Sequence, residues 1–130
     1  MMVKLLLDTH FVLAGADGDM AVKYPRAERY ISRFADACFI SVASFWEIAI
    51  KSRLGKLSPK LPLREIPSFL NVAGFRTLRI DIEHVLTAAE PEPPTRDPFD
   101  RLLLAQCQVE GLQLVTIDRA LVGHPLALRF

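Results

Sequence analysis

Cysteine is scarce. Cys38 and Cys107 are the two in 130 residues, each in an apolar context and without CxxC spacing. That argues against a disulfide framework or a cysteine zinc site and predicts two buried free thiols. Long apolar runs are missing too. No uncharged hydrophobic stretch approaches the roughly 18 residues that a membrane span needs. The N-terminus runs directly into a short apolar strand closed by Asp8, unlike a secretory leader. The expectation is a soluble, cytoplasmic protein with no membrane contact, its 130 residues forming one domain over 1–130. There are no repeats and no low-complexity segments. No GxxxxGK[ST] loop is present, which argues against nucleoside triphosphate hydrolysis. His10, His84 and His124 show no ligand spacing such as HxxxH.

Net charge is also small, at +1, so bulk electrostatics give no case for nucleic acid. The distribution is less even. Between Lys23 and Lys60 eight basic residues face three acidic ones, and between Asp81 and Glu110 seven acidic residues face Arg96 and Arg101. Solvated helix faces explain most such charges singly, but the polarity predicts a basic surface beside an acidic pocket.

Strand-like and helix-like stretches alternate along the chain. Residues 3–7 form a continuous apolar run broken by Lys4, as in a strand of a buried parallel sheet. Residues 9–14 predict a short helix and 17–19 a loop. Residues 25–37 predict a helix with Ala27, Tyr30, Ile31, Phe34 and Ala35 on one stripe and Arg26, Arg29 and Arg33 on another. A short strand over 38–40 leads to Ser41 as N-cap of a helix reaching Leu54, where Gly55 ends it. Pro59, Pro62 and Pro67 make 57–67 irregular. A short helix over 68–73, a strand over 77–80 and a helix over 82–89 follow. Pro91, Pro93 and Pro94 stiffen a loop that delivers Asp97 as N-cap and Pro98 as N1 of a helix to Glu110, closed by Gly111. A strand over 113–116, a helical turn over 119–122 and a final edge strand over 127–130 complete the pattern. The alternation predicts an α/β sandwich around a parallel sheet.

Four carboxylates stand out in that frame. Asp8 and Asp118 each close a strand-like run, so they sit at strand carboxyl ends, where ligands of open α/β sheets bind. Glu47 and Asp100 lie on helices placed to close the pocket. Singly, each has an ordinary explanation: a helix cap, a paired glutamate, a first-turn acid favoured by the helix dipole. Together, with no basic partner assigned to each, they call for a divalent cation, since isolated buried charges are costly. An all-oxygen donor set selects Mg²⁺, with Mn²⁺ able to substitute, over zinc. Such a site typically serves phosphoryl chemistry, in which metal-activated water attacks phosphorus. A nucleic-acid phosphodiester is the expected substrate, with Lys51, Arg53 and Lys56 holding its backbone. Asp97 is assigned to capping. Phe45 and Trp46 are expected in the core, with base stacking as the other role open to Trp46. A phosphotransfer domain would want a second acid soon after Asp8, and Thr9-His10-Phe11 supplies none.

Four stretches resemble the PIN-domain ribonuclease toxins of the VapC type, in the right order and over nearly the whole chain. They are Leu-Leu-Leu-Asp8-Thr9-His10; Ser44-Phe45-Trp46-Glu47-Ile48-Ala49-Ile50-Lys51 with Leu54-Gly55-Lys56; Arg96-Asp97-Pro98-Phe99-Asp100-Arg101; and Leu114-Val115-Thr116-Ile117-Asp118-Arg119. The resemblance implies a PIN-like α/β/α sandwich and Mg²⁺- or Mn²⁺-dependent endoribonuclease activity. It places metal-binding, catalytic roles on Asp8, Glu47, Asp100 and Asp118, and a water-orienting role on Thr116. It implies a cognate antitoxin that blocks the acidic pocket, arginine being suited to carboxylates, and a homodimer, for which the helix face of Phe69 and Leu70 is a candidate. Many relatives carry a histidine just before the Arg-Asp-Pro-Phe-Asp stretch; here Thr95 stands there. The alternative is a PIN-like module that binds RNA or protein without turnover.

Overall fold

Leu5, Leu6 and Leu7 form the first strand, β1 (Leu5–Leu7), and all three are buried. Such a strand must be covered on both faces, since successive side chains point opposite ways. In the computed structural model, which describes residues 3–130, Leu5 and Leu7 enter one core with Phe11, Val12, Ile31, Ile48 and Leu70. Leu6 enters a second core with Leu103, Leu104, Cys107, Leu114 and Leu121. Both cysteines are free and buried. No helix of the described residues is long and apolar enough to cross a membrane. Phe11 is fully buried and meets Tyr24 edge-on, with ring centroids 4.9 Å apart. Phe11→Ala is expected to cost about 3–5 kcal/mol of stability, read by denaturant melts.

The element order is β1, α1 (Thr9–Asp17), α2 (Met20–Lys23), α3 (Pro25–Arg33), β2 (Cys38–Ser41), α4 (Val42–Arg53), α5 (Ile66–Val72), β3 (Arg76–Leu78), α6 (Ile82–Leu86), α7 (Pro98–Glu110) and β4 (Gln113–Val115). The four strands form one sheet in the order β3-β2-β1-β4, every pair parallel. The chain moves outward from β1 to β2 and β3, then returns through α6 and α7 to place β4 on the other side of β1. That reversal makes the boundary between β1 and β4 the topological switch point, beside which ligands of open α/β sheets bind, beyond the strand carboxyl ends. Asp8 follows β1 directly, and Thr116 to Asp118 follow β4.

Several expected boundaries shift. Helix α5 begins at Ile66, inside the stretch expected to be irregular, because Pro67 stands in its first turn, where a proline costs no hydrogen bond. Residues 20–23, which lie between the expected loop and the expected helix, form the short α2. The helix expected over 25–37 ends at Arg33 and continues as a single 3₁₀ turn over Ala35–Ala37. Residues 119–122 form the expected helical turn, with the Leu121 and Val122 N–H groups both donating to the Asp118 carbonyl at 2.9 Å. The edge strand expected over 127–130 is reduced to one isolated parallel bridge between Leu114 and Ala127. Leu70 is buried against the core, so of the suggested dimerisation pair Phe69 alone is exposed.

Candidate active site

Asp8 is both a helix cap and a buried acid. It is 3% exposed, and its Oδ1 accepts the His10 backbone N–H at 2.9 Å as N-cap of α1. Its Oδ2 accepts the Thr116 hydroxyl proton. The same Thr116 oxygen accepts the Asp118 backbone N–H at 3.0 Å. Thr116 therefore ties the end of β4 to the end of β1 through a single hydroxyl. Asp118 in turn accepts the Ala120 N–H at 2.8 Å, fixing the turn after β4.

Glu47 approaches from α4, which Ser41 caps by accepting the Ala43 N–H. Glu47 is 6% exposed. Its Oε1 accepts the Thr9 hydroxyl proton at 2.6 Å, and Oε2 accepts from Lys51 Nζ at 2.6 Å, one helical turn on. The Ser44 hydroxyl lies 3.0 Å from that of Thr9. Asp100 approaches from α7. Asp97 caps that helix, its Oδ1 accepting from the Phe99 and Asp100 N–H groups at 2.8 and 3.3 Å. Thr95 accepts the Asp97 N–H at 3.1 Å and its hydroxyl lies 3.5 Å from Asp100 Oδ2.

Electrostatics tie these acids into one site. The Asp100 carboxyl is pushed up to about 7, first by burial and then by the charges of Asp97, Asp118, Glu47 and Asp8. His10 is held above its ordinary value, chiefly by hydrogen bonding to Asp8 and further by the charges of Asp8, Asp118 and Glu47, with burial opposing. Its Nδ1 stands 3.5 Å from Asp8 Oδ1. A proton on Asp100 relieves the accumulated negative charge, and a hard divalent cation relieves it more effectively. The donor set therefore fits Mg²⁺ or Mn²⁺ in chemistry. Among the described residues, no three His, Cys, Asp or Glu side chains converge closely enough to hold one ion.

The sequence-predicted residues divide accordingly. Asp8, Glu47, Asp100 and Asp118 share one electrostatic site, and Thr116 and Lys51 touch it directly. Arg53 lines a separate depression with Phe45, Ile48, Leu63, Arg64 and Ile66, and Lys56 is exposed beyond the end of α4. Trp46, expected in the core, is 56% exposed. Its position follows from the helix: Glu47 and Ser44 face the sheet, so the neighbour at 46 turns outward. Thr9, Ser44 and His10 also border the site, and the sequence pattern does not mark them as site residues. The signal for Thr9 is its place immediately after the capping acid, where a hydroxyl on the first helical turn can reach the next element.

The chain matches the PIN domain family over residues 5–123 and belongs to it. Its fold is similar to a solved structure described as a toxin-antitoxin complex from Klebsiella pneumoniae. The TM-score is 0.62 at 16% identity, covering 97% of this chain and 97% of that one. At that identity the likeness is one of fold. No curated protein matches the sequence.

Proposed function

We propose that this protein is the toxin component of a type II toxin-antitoxin pair, an endoribonuclease dependent on Mg²⁺ or Mn²⁺. PIN domains are generally nucleases, and the solved structure with a similar fold is a toxin-antitoxin complex. The observation that carries the reading is the shared acidic site at the switch point, with Asp100 pushed up to about 7 by its acidic neighbours and burial.

In this reading Asp8, Glu47, Asp100 and Asp118 hold the cation. When bound, the cation supplies Lewis-acid stabilisation of the phosphoryl charge and makes water nucleophilic near neutral pH. The rest falls to the chain's own groups. Thr116 holds Asp8 and the backbone of Asp118 in register. Thr9 and Lys51 orient the two oxygens of Glu47. Lys51, with Arg53 and Lys56, attracts the RNA backbone. The partner is a cognate antitoxin that covers the acids with a basic side chain. The working form is a homodimer of single-domain chains in the cytoplasm.

Incubation of the protein with total RNA and Mg²⁺ or Mn²⁺, followed by end analysis, tests the proposal. The expected products carry a 5′-phosphate and a 3′-hydroxyl, and water as the nucleophile leaves no 2′,3′-cyclic phosphate. Products ending in 2′,3′-cyclic phosphate would sink it. The competing reading is a module that holds RNA without turnover. The open spacing of the acids favours that reading, and binding of RNA without cleavage under either metal would establish it.

A further inference from the structure

Trp46 is the single tryptophan of the chain, and 56% of it faces solvent. An exposed indole is a large apolar surface left in water, and it stands one residue before Glu47. Phe99, one residue before Asp100, meets it edge-on, with ring centroids 5.4 Å apart and planes inclined by 77°. The two helices that carry Glu47 and Asp100 thus each contribute an aromatic ring, and the rings touch. An edge-on partner braces an indole without lying flat on it, so most of its surface remains open. Val42, one turn earlier on α4, is exposed at 37% and extends the same apolar strip.

We propose that Trp46, braced by Phe99, is a stacking platform for an unpaired base of the RNA whose phosphodiester lies over the acids. The inference rests on the nuclease reading and adds one contact to it: the open face of the Trp46 indole takes an unpaired base. Stacking of bases on aromatic rings tolerates sequence but requires an unpaired base, since paired bases in an A-form duplex hide their faces. Arg96 and Arg119, exposed and without an ion pair among the described residues, stand next in the chain to Asp97 and Asp118. They supply cations for the flanking phosphates.

The test uses the Asp100→Asn chain, so that bound RNA is not cut, and a fluorescein-labelled random 12-mer RNA, single-stranded or annealed to its complement. Trp46→Ala is expected to weaken single-strand binding about tenfold, with Trp46→Phe retaining most of it. Duplex binding and the melting temperature should not move. Because Trp46 is the only indole, single-stranded RNA should also quench tryptophan emission directly. Equal affinity of the Trp46→Ala chain, or equal losses on single strand and duplex, overturns the platform. A cleavage assay with otherwise unaltered chains separates this from the nuclease reading. Cleavage that persists in Trp46→Ala with unchanged KM removes the platform alone. Absence of cleavage by the unaltered chain with either metal removes the nuclease reading, and the quenching titration still decides the platform.

Discussion

Asp100→Asn is expected to lower RNA cleavage roughly a thousandfold while leaving the metal-free protein as stable as before or more stable. The two halves have one cause. In the proposed enzyme Asp100 is a metal ligand, and a cation that stabilises phosphoryl charge contributes several kcal/mol to the transition state. At about 1.4 kcal/mol per tenfold, that is on the order of three decades of rate. Without the cation the same carboxyl is a liability, pushed up to about 7 by burial and by Asp97, Asp118, Glu47 and Asp8. Asparagine removes the charge and retains the shape. Added Mn²⁺ should reverse the stability order: at about 100 times its Kd it stabilises the unaltered chain by about 2.7 kcal/mol, and the variant much less. Initial cleavage rates and melting temperatures with and without Mn²⁺ measure both. A variant that melts well below the unaltered chain in chelator would make Asp100 a structural acid.

Much of the frame is legible because local chemistry and fold agree. Asp97-Pro98 marks the start of α7, and Gly111 ends it in the left-handed conformation, at φ 70°. The run of three leucines reads as a doubly covered strand because it is one. The misplaced pieces are those where tertiary contacts decide. Pro67 signals a break, yet a proline is equally at home in a first helical turn, and only the packing of Ile66 and Leu70 selects that outcome. The capping box of α6 pairs Asp81 with His84, whose Nδ1 accepts the Asp81 N–H, and histidine is an unusual residue for that position. The segment after His124 is apolar enough for a strand. It is held instead by a bridge at Ala127 and by two backbone bonds to Leu114.

The candidate site is legible in its acids and less so in what surrounds them. Asp8 and Asp118 announce themselves by closing apolar runs. That Thr116 links them depends on β1 and β4 being neighbours, a consequence of the sheet order that no local pattern carries. Glu47 has Lys51 four residues on, a spacing that predicts their ion pair in any helix. Its bond to Thr9 joins residues 38 apart in sequence and needs the fold. Trp46 is the instructive failure. An aromatic inside an apolar helical stretch is most simply read as core, and the exposed face emerges only once Glu47 is known to point inward.

Metal-free stability is expected to fall as pH rises from about 4 to 8, and added Mn²⁺ to remove that fall. The folded Asp100 carboxyl keeps its proton up to about 7, whereas in the unfolded chain it loses it near 3.8. Between those values the folded state binds the extra proton, so raising the pH favours unfolding through this group. His10 acts in the same direction at the upper end. Its affinity for a proton is raised in the folded state by Asp8, so the stability it contributes is complete below 6.5 and is lost as pH climbs through its higher folded value. Asp100 is partly open to solvent, so screening leaves roughly 1 kcal/mol of its effect. That corresponds to a shift of about 4 °C in melting temperature for a domain of this size. In chelator, the unaltered chain should therefore melt lower than Asp100→Asn at pH 8 and close to level with it at pH 4. Mn²⁺ competes with protons for the same oxygens, so its stabilisation should grow between pH 6 and 8 in the unaltered chain and stay small in Asp100→Asn. Melting curves across that range, with chelator and with Mn²⁺, read both effects. If the two chains keep a constant difference at every pH, the acids do not share one pocket charge, and the proposed metal site loses its physical basis.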